Sequence, residues 1–247
     1  MADEQIAIRT ADGECPTHVL TPKGGGSGPG VIFYMDGLGI RPTLVQMAQR
    51  LADAGYVVLL PDLFYRFGPY ASLDPKEVFK GDFRAMVGPM MATTDNAKAA
   101  QDTAAFLAYL ASRLDVKGSK VGTVGFCMGG GMALTAAGTY PDRVAAAASF
   151  HGGRLADDSP LSPHLLAPKI TAEVYVAGAD NDQSYPPEME VRLDRALTEA
   201  GVRHRCEIYP SAAHGWMKPD FPIYDEAAAE RGWTELLALF QRNLKAG

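Results

Sequence analysis

A cysteine, an aspartate and a histidine fall in that order along this 247-residue chain, each in a short turn after an apolar run. They are Cys127 in Gly-Phe-Cys-Met-Gly, Asp180 in Ala-Gly-Ala-Asp-Asn-Asp and His214 in Ser-Ala-Ala-His-Gly-Trp. A thiol attacks a carbonyl carbon only as thiolate, so it needs a base, and the base needs an acid that fixes its tautomer. G-x-C-x-G is the sulfur counterpart of G-x-S-x-G, a strained strand-to-helix turn that lifts a nucleophile above a sheet. Asp180 is preferred to Asp182 as the orienting acid because Gly178 precedes it closely in the strand-end turn. The amide of Met128, next after the nucleophile, and that of Gly37 or Leu38 after an earlier strand would bind the oxyanion. Asp36 ends that earlier strand. It reads either as half of an Asp-Gly turn pair or as a second carboxylate that holds or accepts the thiol proton.

These turns need strands to end at and helices to start from. Ile6 to Arg9 and Thr17 to Thr21 alternate around Asp12-Gly13, an edge hairpin, and Gly30 to Met35 is a continuous apolar strand suited to a sheet covered on both faces. Pro42 to Ala54 has helical spacing, and Tyr56 to Leu60 is a strand again. Residues 62–95 are the least regular stretch and carry at most short helices, as functional caps often do. Beyond them the spacing predicts a helix over Asn96 to Leu114, a strand from Lys120 to Phe126, and a small-residue helix from Gly129 to Tyr140. Strands follow at Val144 to Phe150, Ile170 to Val176 and Arg203 to Tyr209, with helices at Glu188 to Ala200 and Tyr224 to Leu244. Strands alternating with helices make an α/β fold, a mostly parallel sheet with helices on both faces. Residues 1–247 read as one such domain, with the site beyond the carboxyl ends of the strands.

Composition limits the partners. Net charge is −6 and no run of five or more like charges occurs, so neither nucleic acid nor an anionic membrane is an expected partner. A small molecule is. The acidic start lacks the plan of a secretory signal, no stretch is apolar for long enough to span a bilayer, and three cysteines without a C-x-x-C pair suggest reduced thiols, so a cytoplasmic location is expected. No cofactor and no metal are called for. Cys15 and Cys206 read as structural, His18, His164 and His204 as ordinary strand or surface residues, and His151 as a candidate pocket wall.

At these residues the sequence resembles the dienelactone hydrolase (carboxymethylenebutenolidase) family of the α/β-hydrolase superfamily. The resemblance rests on Gly125-Phe-Cys-Met-Gly-Gly130, Pro29-Gly-Val-Ile, the Pro-Asp-Leu that ends Val57 to Leu63, Ala179-Asp180 and His214-Gly-Trp216. It implies the α/β-hydrolase fold and a triad on Cys127, Asp180 and His214, with Asp36 in place of a family glutamate that pairs with the resting thiol. It also implies substrate contacts from Arg66 and from Lys218, the latter where the family has an arginine, with Trp216 and Tyr65 among the aromatics that could line the pocket. The activity it implies is hydrolysis of small esters or lactones through an acyl-enzyme, by a monomer or homodimer. The alternatives are acyl transfer by the same triad, or a small-molecule binding or sensor protein that keeps a reactive cysteine without turnover.

Overall fold

The computed structural model describes residues 3–245. Eight strands form one sheet: β1 (Asp3–Thr10), β2 (Gly13–Leu20), β3 (Gly28–Tyr34), β4 (Val57–Pro61), β5 (Val116–Phe126), β6 (Val144–Phe150), β7 (Glu173–Ala179) and β8 (His204–Tyr209). Their order across the sheet is β1-β2-β4-β3-β5-β6-β7-β8, antiparallel at β1-β2-β4 and parallel from β4 onward. The helices are α1 (Pro42–Asp53), α2 (Pro75–Lys80), α3 (Phe83–Met91), α4 (Asn96–Ser112), α5 (Met128–Thr139), α6 (Pro187–Glu199) and α7 (Glu226–Leu244). This is the α/β-hydrolase architecture that the sequence pattern predicts. None of these helices is long and apolar enough to cross a membrane.

Local chemistry explains the elements that hold the site. Every residue of β3 and β4 is buried, as continuous apolar strands covered on both faces must be. α1 starts with Pro42 in its first turn and buries Leu44, Met47, Ala48 and Leu51, one stripe at helical spacing. α4 and α7 are capped by Asp95 and Asp225, whose carboxylates accept from the amides of Lys98 and Ala228. α5 has no apolar stripe because Gly129 through Gly138 are all buried. Its small residues let it lie directly on the sheet.

The strand carrying the acid loop begins later than its sequence suggests. Pro163–Lys169 forms a 3-10 turn, and β7 runs from Glu173 to Ala179 instead of Ile170 to Val176. Ala177, Gly178 and Ala179 are therefore paired strand residues, opposite Glu207, Ile208 and Tyr209. Asp180 becomes the first residue past the strand, and the turn proper falls on the residues after it. Residues 62–95 hold the two short helices α2 and α3, capped by Asp74 and Asp82.

Candidate active site

Cys127 sits between β5 and α5 with φ 53° and ψ −115°, a conformation costly for any residue with a side chain. The flanking glycines make it possible. A Cβ on Gly125 would overlap the carbonyl of Gly129, and one on Gly129 would overlap the carbonyl oxygens of Tyr34 and Met35 at the end of β3. The turn is thus pinned against both the following helix and the neighbouring strand, and the sulfur stands where the chain bends.

His214 Nε2 lies 3.1 Å from Cys127 Sγ, and His214 Nδ1 lies 2.6 Å from Asp182 Oδ2. The aspartate on the histidine is therefore Asp182, which corrects the choice of Asp180. Asp180 is fixed by the strand end: its amide donates to Ala212 O at 2.8 Å, and its carboxylate accepts from the Ser211 amide at 2.9 Å. Asp182, two residues further round the turn, reaches the imidazole. Its other oxygen accepts from Ser184, from the amide at 2.8 Å and from the hydroxyl at 2.7 Å. Burial would raise the Asp182 carboxyl, but the His214 and Ser184 hydrogen bonds hold it below its ordinary value. Burial likewise opposes an imidazolium at His214, yet the Cys127 sulfur and the Asp182 carboxylate on either side push it up to about 10. The charged form of the imidazole is thereby favoured.

His151 is packed behind this pair, its ring 5.4 Å from that of His214 and 5.8 Å from that of Trp216. It is fully buried at φ 40°, and neither ring nitrogen has a hydrogen-bond partner. Burial first, then His214 and Lys218, keep it well below its ordinary value and so neutral. It supports His214 from behind and does not line the pocket.

A cavity of about 410 Å³ opens over the sulfur, with Cys127, Met128, Ser184 and His214 at one side and Met91, Asn96, Arg154 and Leu161 among its other walls. A larger surface depression of about 900 Å³, bounded by Tyr224, Glu226 and Glu230, contains none of Cys127, Asp182 or His214. Met128 follows the nucleophile and lines the cavity. Gly37 faces Met91, another wall residue, since a Cβ there would meet the Met91 sulfur at 3.3 Å. Leu38 is excluded as an oxyanion donor because its amide is taken by Asp36 Oδ1 at 3.0 Å.

The remaining residues assigned from sequence lie elsewhere. Asp36 does not face the thiol. Its two oxygens bind Arg41 Nη1 and Nη2 at 2.7 and 2.9 Å, and Lys218 Nζ stands 3.3 Å from Oδ2. Arg41 also binds Asp220, so two cations and two carboxylates balance in a knot where Asp36, Arg41 and Lys218 are all buried. Lys218 is thus committed inside, its Nζ 3.9 Å from the centre of the Phe126 ring, and burial pushes it down to about 8 despite Asp36. Arg66 forks onto Asp102 at 2.8 and 2.9 Å and onto Asp12 at 2.7 and 2.9 Å, and Tyr65 donates to the same Asp102 at 2.9 Å. Trp216 is buried and stacks on Tyr209 with ring centres 4.4 Å apart. None of these five assigned side chains lines the cavity, because each has a buried partner that holds it away.

Arg154 was not singled out by its sequence. It projects from the loop after β6 at φ 56°, gives Nε to Asp157 at 2.7 Å, and is the only arginine or lysine among the cavity walls. The signal available was its position at the carboxyl end of a strand, three residues beyond His151, where an open α/β sheet gathers its ligand contacts.

Comparison with known proteins points the same way. The profile of the dienelactone hydrolase family matches residues 15–244. A protein of Synechocystis sp., whose name of carboxymethylenebutenolidase is itself provisional, is 28% identical over 233 residues, covering 92% of each chain. A crystal structure from Klebsiella pneumoniae, provisionally named a dienelactone hydrolase, superposes with a TM-score of 0.84 at 25% identity, covering 96% of this chain and 97% of that one. A dienelactone hydrolase-like promiscuous phosphotriesterase from metagenomic libraries superposes with a TM-score of 0.78, also at 25% identity, over 99% of this chain and all of that one.

Proposed function

The chain belongs to the dienelactone hydrolase family, a family of α/β-hydrolases, and from that premise we propose that it hydrolyses small carboxylic esters or lactones through a thioester on Cys127. The observation that carries this reading is the line Cys127 Sγ, His214, Asp182 at 3.1 and 2.6 Å, with the sulfur facing a cavity sized for a small ligand. Cys127 Sγ attacks the carbonyl carbon while the proton resides on His214. The amides of Met128 and Gly37 hold the oxyanion. Collapse breaks the ester C–O bond, and His214 Nε2 gives its proton to the departing oxygen. Water then attacks the thioester, His214 takes the water proton, and the carboxylic acid leaves with the thiolate restored. Asp182 fixes the imidazole with Nδ1–H toward itself and favours its charged form, and Ser184 keeps Asp182 in place.

Asp36 and Lys218, whose departure from the family pattern motivated the alternative of a non-catalytic binder, belong to the buried knot outside the cavity. Their identity therefore bears on packing. Arg154 takes the place assigned from sequence to Arg66 and Lys218 as the cation available to an anionic group on the substrate. The test is a panel of lactones and p-nitrophenyl esters assayed with wild type and Cys127→Ala. The variant is expected to lose kcat/KM by roughly 10,000-fold, as removal of a triad nucleophile does. Turnover retained within about tenfold would overturn the assignment.

A further inference from the structure

β8 is the last strand of the sheet, and its residues His204 and Cys206, two apart, point to the same face. α6 lies over that face and brings Asp194 to them. One ligand atom from each of Asp194, His204 and Cys206 lies within 4.8 Å of the others, a carboxylate oxygen, an imidazole nitrogen and a sulfur.

The histidine orientation is the first sign of a cation. His204 Nδ1 stands 2.7 Å from Val202 O, and a carbonyl only accepts, so Nδ1 carries the hydrogen. Nε2 then turns its lone pair toward Asp194 Oδ1 at 3.1 Å. Two acceptors at that distance need a hydrogen or a metal ion between them. An Nδ1–H given to a backbone carbonyl is the orientation that metal-ligating histidines adopt.

The sulfur and its surroundings favour the metal. Sulfur, nitrogen and oxygen around a tetrahedral zinc lie roughly 3.3 to 3.6 Å apart, from bonds of about 2.0 to 2.3 Å. The nitrogen-oxygen separation here is already close to that, and the other edges, within 4.8 Å, need roughly 1.5 Å of closure at most. Tyr185 supplies an independent sign. It is 2% exposed, its hydroxyl has no hydrogen-bond partner, and its ring packs on Gly178 of the adjacent strand β7. Gly178 pairs with Ile208, which lies two residues beyond Cys206 on the same face of β8. A phenol placed there can donate to a metal-bound thiolate or water.

We propose that Asp194, His204 and Cys206 bind a divalent cation of the zinc class, with water as fourth ligand, and so clamp α6 to the edge strand. Binding converts the Cys206 thiol to a metal thiolate and releases one proton to solvent. The clamp has a reach beyond its ligands. α6 follows the loop that carries Asp182 and Ser184, and β8 precedes the loop that carries His214, so both halves of the acid–base pair hang from it.

The test is titration of metal-stripped, full-length Cys127→Ser protein with cobalt(II), because that variant leaves Cys206 and the buried Cys15 as the only thiols. One equivalent is expected to produce a thiolate-to-cobalt charge-transfer band and the intense visible bands of a tetrahedral ion, both displaced by zinc. Cys206→Ser should abolish the charge-transfer band, and Asp194→Asn, at an exposed position that does not threaten folding, should weaken binding at least about tenfold. With the native active site, saturating zinc is expected to raise Tm by roughly 5 °C and to leave the Tm of Cys206→Ser unmoved. Absence of the band, its survival in Cys206→Ser, or binding only at millimolar metal would overturn the proposal. The 3.1 Å contact would then be an ordinary hydrogen bond between His204 and Asp194.

Discussion

Two charged centres sit at the carboxyl edge of the same sheet and have opposite characters. At Cys127, His214 and Asp182, the sulfur and the imidazole open onto a cavity, and the histidine charge depends on the groups on either side of it. At Asp36, Arg41, Lys218 and Asp220, each cation is matched by a carboxylate, and Asp36, Arg41 and Lys218 are closed off from solvent. Both centres carry ionisable groups pushed far from their ordinary values, His214 upward and Lys218 downward. Perturbed ionisation therefore does not separate the cavity-facing centre from the closed one in this molecule. What separates them is an unshared nucleophile facing space large enough for a ligand.

The comparison breaks most easily at the acid. Asp182→Asn keeps the shape of the turn but removes the charge that fixes the His214 tautomer, and kcat is expected to fall by roughly 1,000- to 10,000-fold. Asp180→Asn, two residues away, disturbs a strand-end contact with Ser211 and is expected to change kcat by less than about threefold. Steady-state kinetics of the two variants on one p-nitrophenyl ester decide the matter. A larger loss in Asp180→Asn would restore that residue to the triad and remove the meaning given to the 2.6 Å contact.

The order cysteine, aspartate, histidine and the glycines around Cys127 were legible because each rests on local geometry: a strand ends, a small helix begins, and backbone atoms meet where no Cβ fits. The sheet was legible for the same reason. The choice between Asp180 and Asp182 was not, since it turned on where β7 stops, and the 3-10 turn at Pro163–Lys169 displaces that strand by three residues. The roles of Asp36, Arg66 and Lys218 were hidden more deeply. Asp36 meets Lys218 from the opposite end of the chain, and Arg66 meets Asp102 across a helix, so nothing near them in sequence reveals that their charges are already spent. The edge cluster of Asp194, His204 and Cys206 was not visible in the sequence because its residues come from a helix turn and a strand instead of one short spacing.

The knot at Asp36 should answer to stability and not to chemistry. Lys218→Met removes one of two cations on a buried carboxylate and is expected to cost about 3 kcal/mol of folding stability at neutral pH, measured by urea unfolding, with kcat within about threefold of wild type at a temperature where both are folded. The pH dependence has a definite sign. Lys218 in the folded chain is pushed down to about 8, below its unfolded value, so between these values the unfolded chain holds a proton that the folded chain has shed. Stability contributed by this site therefore rises as pH climbs above about 8, and the gap between wild type and Lys218→Met should widen over that range. A gap that narrows would mean that the lysine is charged by its partners more strongly than it is penalised by burial. A selective collapse of kcat would place the knot inside the catalytic machinery after all.

The smallest expected effect separates two arginines that the sequence cannot tell apart. Arg66 has both edges of its guanidinium engaged by Asp12 and Asp102, whereas Arg154 spends Nε on Asp157 and has a side chain 76% exposed at the cavity wall. An anionic substrate group can recruit the second without breaking a buried pair. Arg154→Gln should therefore lower the ratio of kcat/KM for a carboxylate-bearing ester over its neutral methyl-capped analogue by about tenfold, the loss of one charge-assisted contact of roughly 1.4 kcal/mol. Arg66→Gln should leave that ratio within about twofold while lowering Tm, because Asp102 is fully buried and would lose its cation. The ratio is the informative quantity, since damage to the fold lowers turnover of both esters together. If Arg66→Gln moves it and Arg154→Gln does not, substrate charge is read through the hairpin side of the molecule, and the cavity over Cys127 supplies only the acyl chemistry.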